Sequence, residues 1–289
     1  MKIIRSTTDM QAQMRELRRS CALRLGFVPT MGYLHEGHAT LMREVRRRGY
    51  FLVVSLFVNP LQFGPTEDLS RYPRDFERDR AMCEREGVDI LFCPSDEAMY
   101  PAGEAMIVVD ESEMSRQLCG RSRPGHFRGV MTVVAKLFHI VQPDLAIFGQ
   151  KDAQQVLMIQ AMVRALNFPL EIAVAPTVRE KDGLAMSSRN RYLSPTERKQ
   201  AVCLIAGLRA AQRRFVEGER SAAALRRAVT DVVTRPELAQ LEYAEVVDGR
   251  TLKPLTVVTV PALLAVAARI GSTRLIDNLI LAEGGTSGP

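Results

Sequence analysis

The sequence predicts an α/β protein: a doubly wound parallel sheet followed by a second, smaller α+β domain. Two observations carry that reading. From Lys2 to Ala175, short apolar runs closed by Gly, Pro or Asn alternate with stretches whose apolar residues recur at helical spacing. After Pro176 the alternation stops, and a polar loop, two helical patterns and a cluster of strand candidates follow. The 289 residues exceed the usual size of one domain, which fits one large domain and one small one.

Composition narrows the class. Apolar residues make up 46% and charged residues 25%, the proportions of an ordinary globular protein. The longest apolar runs, such as Phe51 to Val58, are too short to span a bilayer, and Met1-Lys-Ile-Ile-Arg-Ser has no signal-peptide core. A cytoplasmic protein without membrane contact is expected. Five cysteines, at 21, 83, 93, 119 and 203, form no CxxC pair and read as reduced, mostly buried thiols. The net charge of +6 allows a nucleic-acid partner or a polyanionic small substrate. Its densest patch, Arg43 with Arg46 to Arg48, is interleaved with core positions and reads as a solvated helix face.

The elements follow in order. Lys2 to Arg5 is a short strand, and Met10, Met14 and Leu17 mark a helix after it. Strand 24–28, a helix over about 36–48 stopped by Gly49, and strand 51–58 make a βαβ unit. A long loop from Gln62 to Pro73 leads to a helix over 74–86 with Gly87 as its cap. Strand 89–92, an extended segment at 105–109 and a helix over 111–119 come next. The loop 120–129 precedes an apolar helix over 130–141, strand 145–148, a turn at 149–152, a helix through Leu166 and strand 170–175. Beyond the polar loop 177–193, Ser194-Pro-Thr-Glu197 has the form of a capping box with proline at the first helical position. Helices to about Glu217 and over 222–234 follow, then strands at 241–247, 256–260, 262–269 and 274–281, and a disordered tail over 284–289.

Four polar loops, each after a strand, hold residues that an apolar core does not explain: His35 with His38, Asn59 to Gln62, Gln150 to Asp152, and Met186 to Asn190. His35 and His38 open a helix on one face, beside its unpaired N–H groups and positive dipole end, a place suited to phosphate. Their i, i+3 spacing is wrong for the zinc-binding HExxH, and neither GxxxxGK[ST] nor GxGxxG occurs. Together the loops supply the histidines, lysine, arginine and hydroxyls of a nucleoside triphosphate site without a Walker loop.

Pro29-Thr-Met-Gly-Tyr-Leu-His-Glu-Gly-His38 resembles the HIGH-type motif of the nucleotidyltransferase superfamily, and Met186-Ser-Ser-Arg-Asn190 is similar to its KMSKS-type counterpart. More narrowly, the chain resembles the pantoate–beta-alanine ligase family. The blocks that carry this are Phe57 to Gly64, Arg71 to Arg74, Arg123 to Val130, Phe148 to Asp152, Arg189 to Leu193 and Arg269 to Asn278. The resemblance implies a Rossmann-like nucleotide- and pantoate-binding domain over 1–177 and a smaller C-terminal α+β lid domain over 178–289. It also implies ATP-dependent joining of D-pantoate to beta-alanine through a pantoyl adenylate, with Mg2+ accompanying ATP, in a homodimer.

By the same resemblance His35, His38, Lys151, Ser187, Ser188 and Arg189 are the catalytic set, holding ATP phosphates. Met31, Gly149, Asp152 and Met186 complete the ATP contacts, with Asp152 meeting the ribose. Gln62 and Gln155 match the pantoate-binding glutamines, and Asp79 is the candidate magnesium contact. The serines and arginine at 187–189 stand where the wider superfamily has lysines, so its mechanism does not transfer whole. A cytidylyltransferase using the same loops is the rival enzyme, and a noncatalytic nucleic-acid-binding protein the rival of another class.

Overall fold

A computed structural model describes residues 1–20, 23–65 and 67–283. Cys21 and the tail 284–289 lie outside the described residues. In chain order the elements are β1 Lys2–Ile4, α1 Thr7–Ser20, β2 Leu25–Thr30, α2 Glu36–Arg47, β3 Phe51–Leu56, α3 Phe76–Arg85, β4 Ile90–Phe92, α4 Asp96–Met99, α5 Cys119–Ser122, α6 His126–Val141, β5 Leu145–Gly149, α7 Ala153–Ala165 and β6 Glu171–Ala175. Then come α8 Pro195–Ala201, α9 Cys203–Val216, α10 Ala222–Val233, β7 Ala239–Asp248, β8 Ala262–Ile270 and β9 Thr273–Leu281.

The chain forms two compact units. The first contains 1–115, 123–149 and 158–175, and the second contains 116–122, 150–157 and 176–289. A single cut near 177 does not anticipate the two short segments that join the second unit. One of them carries Lys151, Asp152 and Gln155.

In the first unit all six strands run parallel in the order β1-β4-β3-β2-β5-β6. The chain moves outward from β2 through β3 to β4, then returns to the other side of β2 as β5. The strand order therefore reverses between β2 and β5, and open parallel sheets bind ligands just outside the carboxyl ends at such a point. Both strands end beside candidate site residues: β2 before Met31, β5 at Gly149.

The helix α2 is seated by Leu41, Met42 and Val45, which are buried with Val28, Leu52 and Val54 of the sheet. Each such side chain contributes about 1.5–3 kcal/mol when fully buried. Methionines 10, 14, 131, 158 and 162 are core.

In the second unit β7, β8 and β9 form an antiparallel sheet. Leu204, Leu208, Leu225 and Val229 of α9 and α10 share its core with Leu264 and Val266 of β8.

Several elements depart from the sequence reading. The extended segment 105–109 joins no ladder among the described residues, and its Ile107 is exposed. The helix expected over 111–119 is a 3-10 turn at Met114–Arg116 followed by the short α5. The α6 helix begins four residues early because Gly125 caps it in the left-handed region, at φ 81°. The long helix after Ser194 is broken at Val202 into α8 and α9. Residues 256–260 give only an isolated bridge at Val257.

Candidate active site

In the first unit the site begins where β2 ends. The Thr30 hydroxyl donates to the Ser55 carbonyl at 2.7 Å and accepts the Gly32 N–H at 3.2 Å, tying the end of β2 to β3. Gly32 and Tyr33 then turn the chain through the left-handed region, at φ 80° and 51°. Leu34 is buried, and His35 caps α2 in extended backbone. His38, at the third helical position, accepts the His35 N–H on Nδ1 at 3.2 Å, and the two rings stand 4.0 Å apart. Acceptance at Nδ1 requires the tautomer that carries its proton on Nε2.

Asp79 is 3% exposed. Its Oδ2 accepts the Tyr33 N–H at 2.6 Å and its Oδ1 the Leu34 N–H at 2.7 Å. Burial pushes this carboxyl upward, against the two N–H groups that favour its charged form. The carboxylate proposed for magnesium thus serves the main chain on both oxygens.

Gln62 lies on the short turn Pro60–Gln62 after β3 and is 8% exposed. Its Nε2 donates to Met31 Sδ at 3.0 Å, and its Oε1 accepts from Asn59 Nδ2 at 3.1 Å. Asn59 is itself buried and fully engaged: Nδ2 also donates to the Gly129 carbonyl at 3.1 Å, and Oδ1 accepts the Tyr100 hydroxyl at 2.8 Å. Sequence reading placed Asn59 in a polar loop but missed that it orients Gln62. It placed Arg123 and His126 only within a block that resembles the family. His126 Nδ1 lies 2.8 Å from the Gln62 carbonyl, and Arg123 Nη1 lies 2.9 Å from His126 Nε2. A carbonyl only accepts and a guanidinium only donates, so the ring is protonated on Nδ1 and accepts on Nε2.

The second unit holds the other candidates. Lys151 and Asp152 lie on the 3-10 turn Gln150–Asp152, with Nζ 3.7 Å from Oδ1, and Gln155 follows half-buried on the first turn of α7. Asn278 on β9, 4% exposed, donates from Nδ2 to the Gln150 and Lys151 carbonyls at 3.1 and 2.9 Å. Its Oδ1 accepts from Gln150 Nε2 at 3.0 Å.

Beside it, Asp277 takes Arg179 bidentately at 2.6 and 3.0 Å. Arg179 belongs to a hairpin-like segment in which the Met186 N–H donates to the Val178 carbonyl at 3.0 Å. Ser187 leaves that segment, caps the 3-10 turn Ser188–Tyr192 and accepts the Arg189 N–H on its hydroxyl at 3.3 Å. Asn190 fastens the loop by donating to Glu180 Oε1 at 2.8 Å and to the Ala185 carbonyl at 3.1 Å.

A residue such as Asn278 was legible only as part of a motif, because its partners lie 127 and 128 residues earlier. The basic run on α2 is paired within the chain: Arg43 with Glu36 and Glu86, Arg46 with Asp89, and Arg47 and Arg48 with Glu44. No helix of the described residues is long and apolar enough to cross a membrane.

A parallel sheet with an anion-suited His-x-x-His helix start at its switch point defines a nucleotide-binding α/β protein. The family model described as pantoate-beta-alanine ligase matches residues 2–280. A pantothenate synthetase of Geobacter sulfurreducens is 54% identical over 283 residues, covering 98% of this chain and 99% of the relative. Another from Thermotoga neapolitana is 52% identical, covering 97% and 100%. The solved pantothenate synthetase of Thermus thermophilus superposes with a TM-score of 0.90 at 47% identity, covering 96% of this chain and 99% of that one. The Francisella tularensis pantoate-beta-alanine ligase, solved with beta-gamma ATP and beta-alanine, gives 0.76 at 30% identity, with 97% of each chain covered. The chain belongs to the pantoate–beta-alanine ligase family.

Proposed function

We propose that the protein joins D-pantoate to beta-alanine through a pantoyl adenylate. Family membership supports the overall reaction, and the His35/His38 helix start carries the reading of its first step. The pantoate carboxylate attacks the α-phosphorus of ATP and pyrophosphate leaves. The beta-alanine amine then attacks the acyl carbon of the mixed anhydride, and AMP departs with the carboxylate oxygen that bonded phosphorus. Activation matters because a free carboxylate is a poor acyl donor to an amine.

Negative charge builds on phosphate oxygens during adenylation, so preorganised donors aimed there lower the barrier without covalent chemistry. His38, with its proton on Nε2, and His35 are assigned to the phosphates. Lys151, Ser187, Ser188 and Arg189 are assigned to the triphosphate as cation and hydroxyl donors. Met31, Gly149, Asp152 and Met186 complete the nucleotide contacts, with Asp152 on the ribose. Gln62 and Gln155 are assigned to pantoate, whose carboxylate and hydroxyls suit amide donors and acceptors.

The donors do not fit a resident magnesium at Asp79. Each of its oxygens already accepts a main-chain N–H, and no group of three His, Cys, Asp or Glu side chains among the described residues could hold the ion. Magnesium is inferred instead as the counter-ion that arrives on the ATP phosphates, where it commonly keeps several waters. A cytoplasmic homodimer is proposed on the sequence resemblance alone, and light scattering tests the dimer. For the chemistry, pantoate labelled with oxygen-18 in its carboxylate is expected to pass one label to AMP. Unlabelled AMP would contradict the adenylate.

A further inference from the structure

We infer that Asp79 is a positioning residue for the reaction, holding the left-handed turn Gly32–Leu34 so that His35 and His38 meet the ATP phosphates in one geometry. The inference rests on the assignment of both histidines to phosphate. Asp79 and the turn belong to the same compact unit.

Three independent contacts converge on these residues. Both carboxylate oxygens take main-chain N–H groups, of Tyr33 and of Leu34. Arg78, one residue earlier on α3, lays its guanidinium over the Tyr33 ring 4.6 Å from the centroid. Leu34 is fully buried beside the base of α2.

The turn needs that support. Tyrosine at φ 51° sits in a sparsely populated region, which persists where the surroundings over-determine it. Gly32, at φ 80°, leaves room for the carboxylate, since a Cβ there would stand 3.1 Å from Asp79 Oδ2. His35 follows Leu34 directly, so any relaxation of the turn passes to the residue that caps α2. A carboxylate is the side chain that can accept two N–H groups at once here; the amide of asparagine would turn an NH2 toward one of them.

The test is a double-mutant cycle with Asp79→Asn and His38→Ala, read by pantoate-dependent exchange of labelled pyrophosphate into ATP. Circular dichroism and the thermal midpoint establish that each variant folds. Asp79→Asn alone is expected to lower the exchange rate about 10- to 100-fold, the scale of misplacing a reacting group by about 1 Å. KM for pantoate and the magnesium concentration for half-maximal rate stay at their wild-type values. In the His38→Ala background the same substitution costs less than about threefold, because coupled residues are not additive.

Equal losses in both backgrounds would overturn the inference, and so would a sharply raised magnesium requirement, which marks a metal ligand. If His38→Ala itself leaves exchange unchanged, the phosphate assignment fails and this inference with it. If His38→Ala is crippling while Asp79→Asn is additive, only this inference fails. Should Asp79→Asn not fold, Gly32→Ala presses the same turn and must lower the exchange rate without changing the pantoate KM. An unchanged rate in a folded Gly32→Ala protein would overturn the inference.

Discussion

Arg123 grips Glu67 with two parallel hydrogen bonds, from Nε to Oε1 at 2.7 Å and from Nη2 to Oε2 at 2.6 Å. The fork geometry leaves Nη1 directed at His126, whose other ring nitrogen donates to the main-chain carbonyl of Gln62. A carboxylate on one loop thereby orients a guanidinium, the guanidinium an imidazole, and the imidazole the backbone of a glutamine assigned to pantoate.

Glu67→Gln should therefore act on pantoate before it acts on ATP. The amide keeps one acceptor and loses the charge, so the bidentate pair opens. KM for pantoate is expected to rise about three- to tenfold, equivalent to about 1 kcal/mol, while KM for ATP stays put. Initial rates against each substrate measure this. Equal rises in both constants would place Glu67 outside the chain of contacts.

Gly129 approaches the same turn from α6. A Cβ there would lie 2.3 Å from the Leu61 carbonyl oxygen and 2.7 Å from the Gln62 nitrogen, both main chain, so the turn itself must shift. Gly129→Ala is expected to destabilise by about 1–3 kcal/mol and to raise the pantoate KM further than Glu67→Gln does. Urea unfolding and initial rates check both parts. A variant of wild-type stability would mean that α6 can retreat freely.

Asn278 offers the equivalent test in the second unit. Lys151→Ala removes the charge assigned to the triphosphate and should cost about 10²-fold in adenylation, the scale of losing one preorganised contact. Asn278→Ala leaves the lysine in place but strips two donors from the Gln150 and Lys151 carbonyls. A loss of about tenfold in kcat is expected, since the loop that carries the charge is then held less precisely. Single-turnover formation of the proposed pantoyl adenylate distinguishes the two, and an unaffected Asn278→Ala enzyme would remove β9 from the positioning of Lys151.

What could be foreseen from sequence divides by the range of the contact. The Ser194 hydroxyl accepts the Glu197 N–H at 3.3 Å and Glu197 Oε2 accepts the Ser194 N–H at 2.8 Å, so that capping box was readable from four consecutive residues. The β2–α2–β3 unit was readable from periodicity, and both histidines open α2 as their spacing requires. Asp79 was not, because its partners are 45 and 46 residues earlier and an acid in the first turn of a helix usually faces solvent. Val202 broke a helix whose pattern continues through it, which periodicity alone does not register.

Acid stability has a definite sign at Glu44. Hydrogen bonds from Arg47 and Arg48 hold its carboxyl at about 2, outweighing burial. Because the unfolded glutamate titrates near about 4.3, the stabilisation is complete above that pH and is lost as pH falls toward about 2. The pair is partly exposed, so the contribution is at most about 1 kcal/mol. Glu44→Gln should lower the thermal midpoint at pH 6 and lower it distinctly less at pH 2, where the folded carboxyl is about half protonated, as read by calorimetry across that range. A constant offset at both pH values would show that the ion pair contributes nothing.

Pantoate-dependent exchange of labelled pyrophosphate into ATP, with magnesium present and beta-alanine omitted, tests the pantoyl-adenylate route most directly. Exchange that requires pantoate is the predicted result, since the first half-reaction is reversible and needs no amine. Absence of exchange in folded protein that binds both ATP and pantoate would contradict a free-standing adenylation step, and with it the roles assigned to His35, His38 and Lys151.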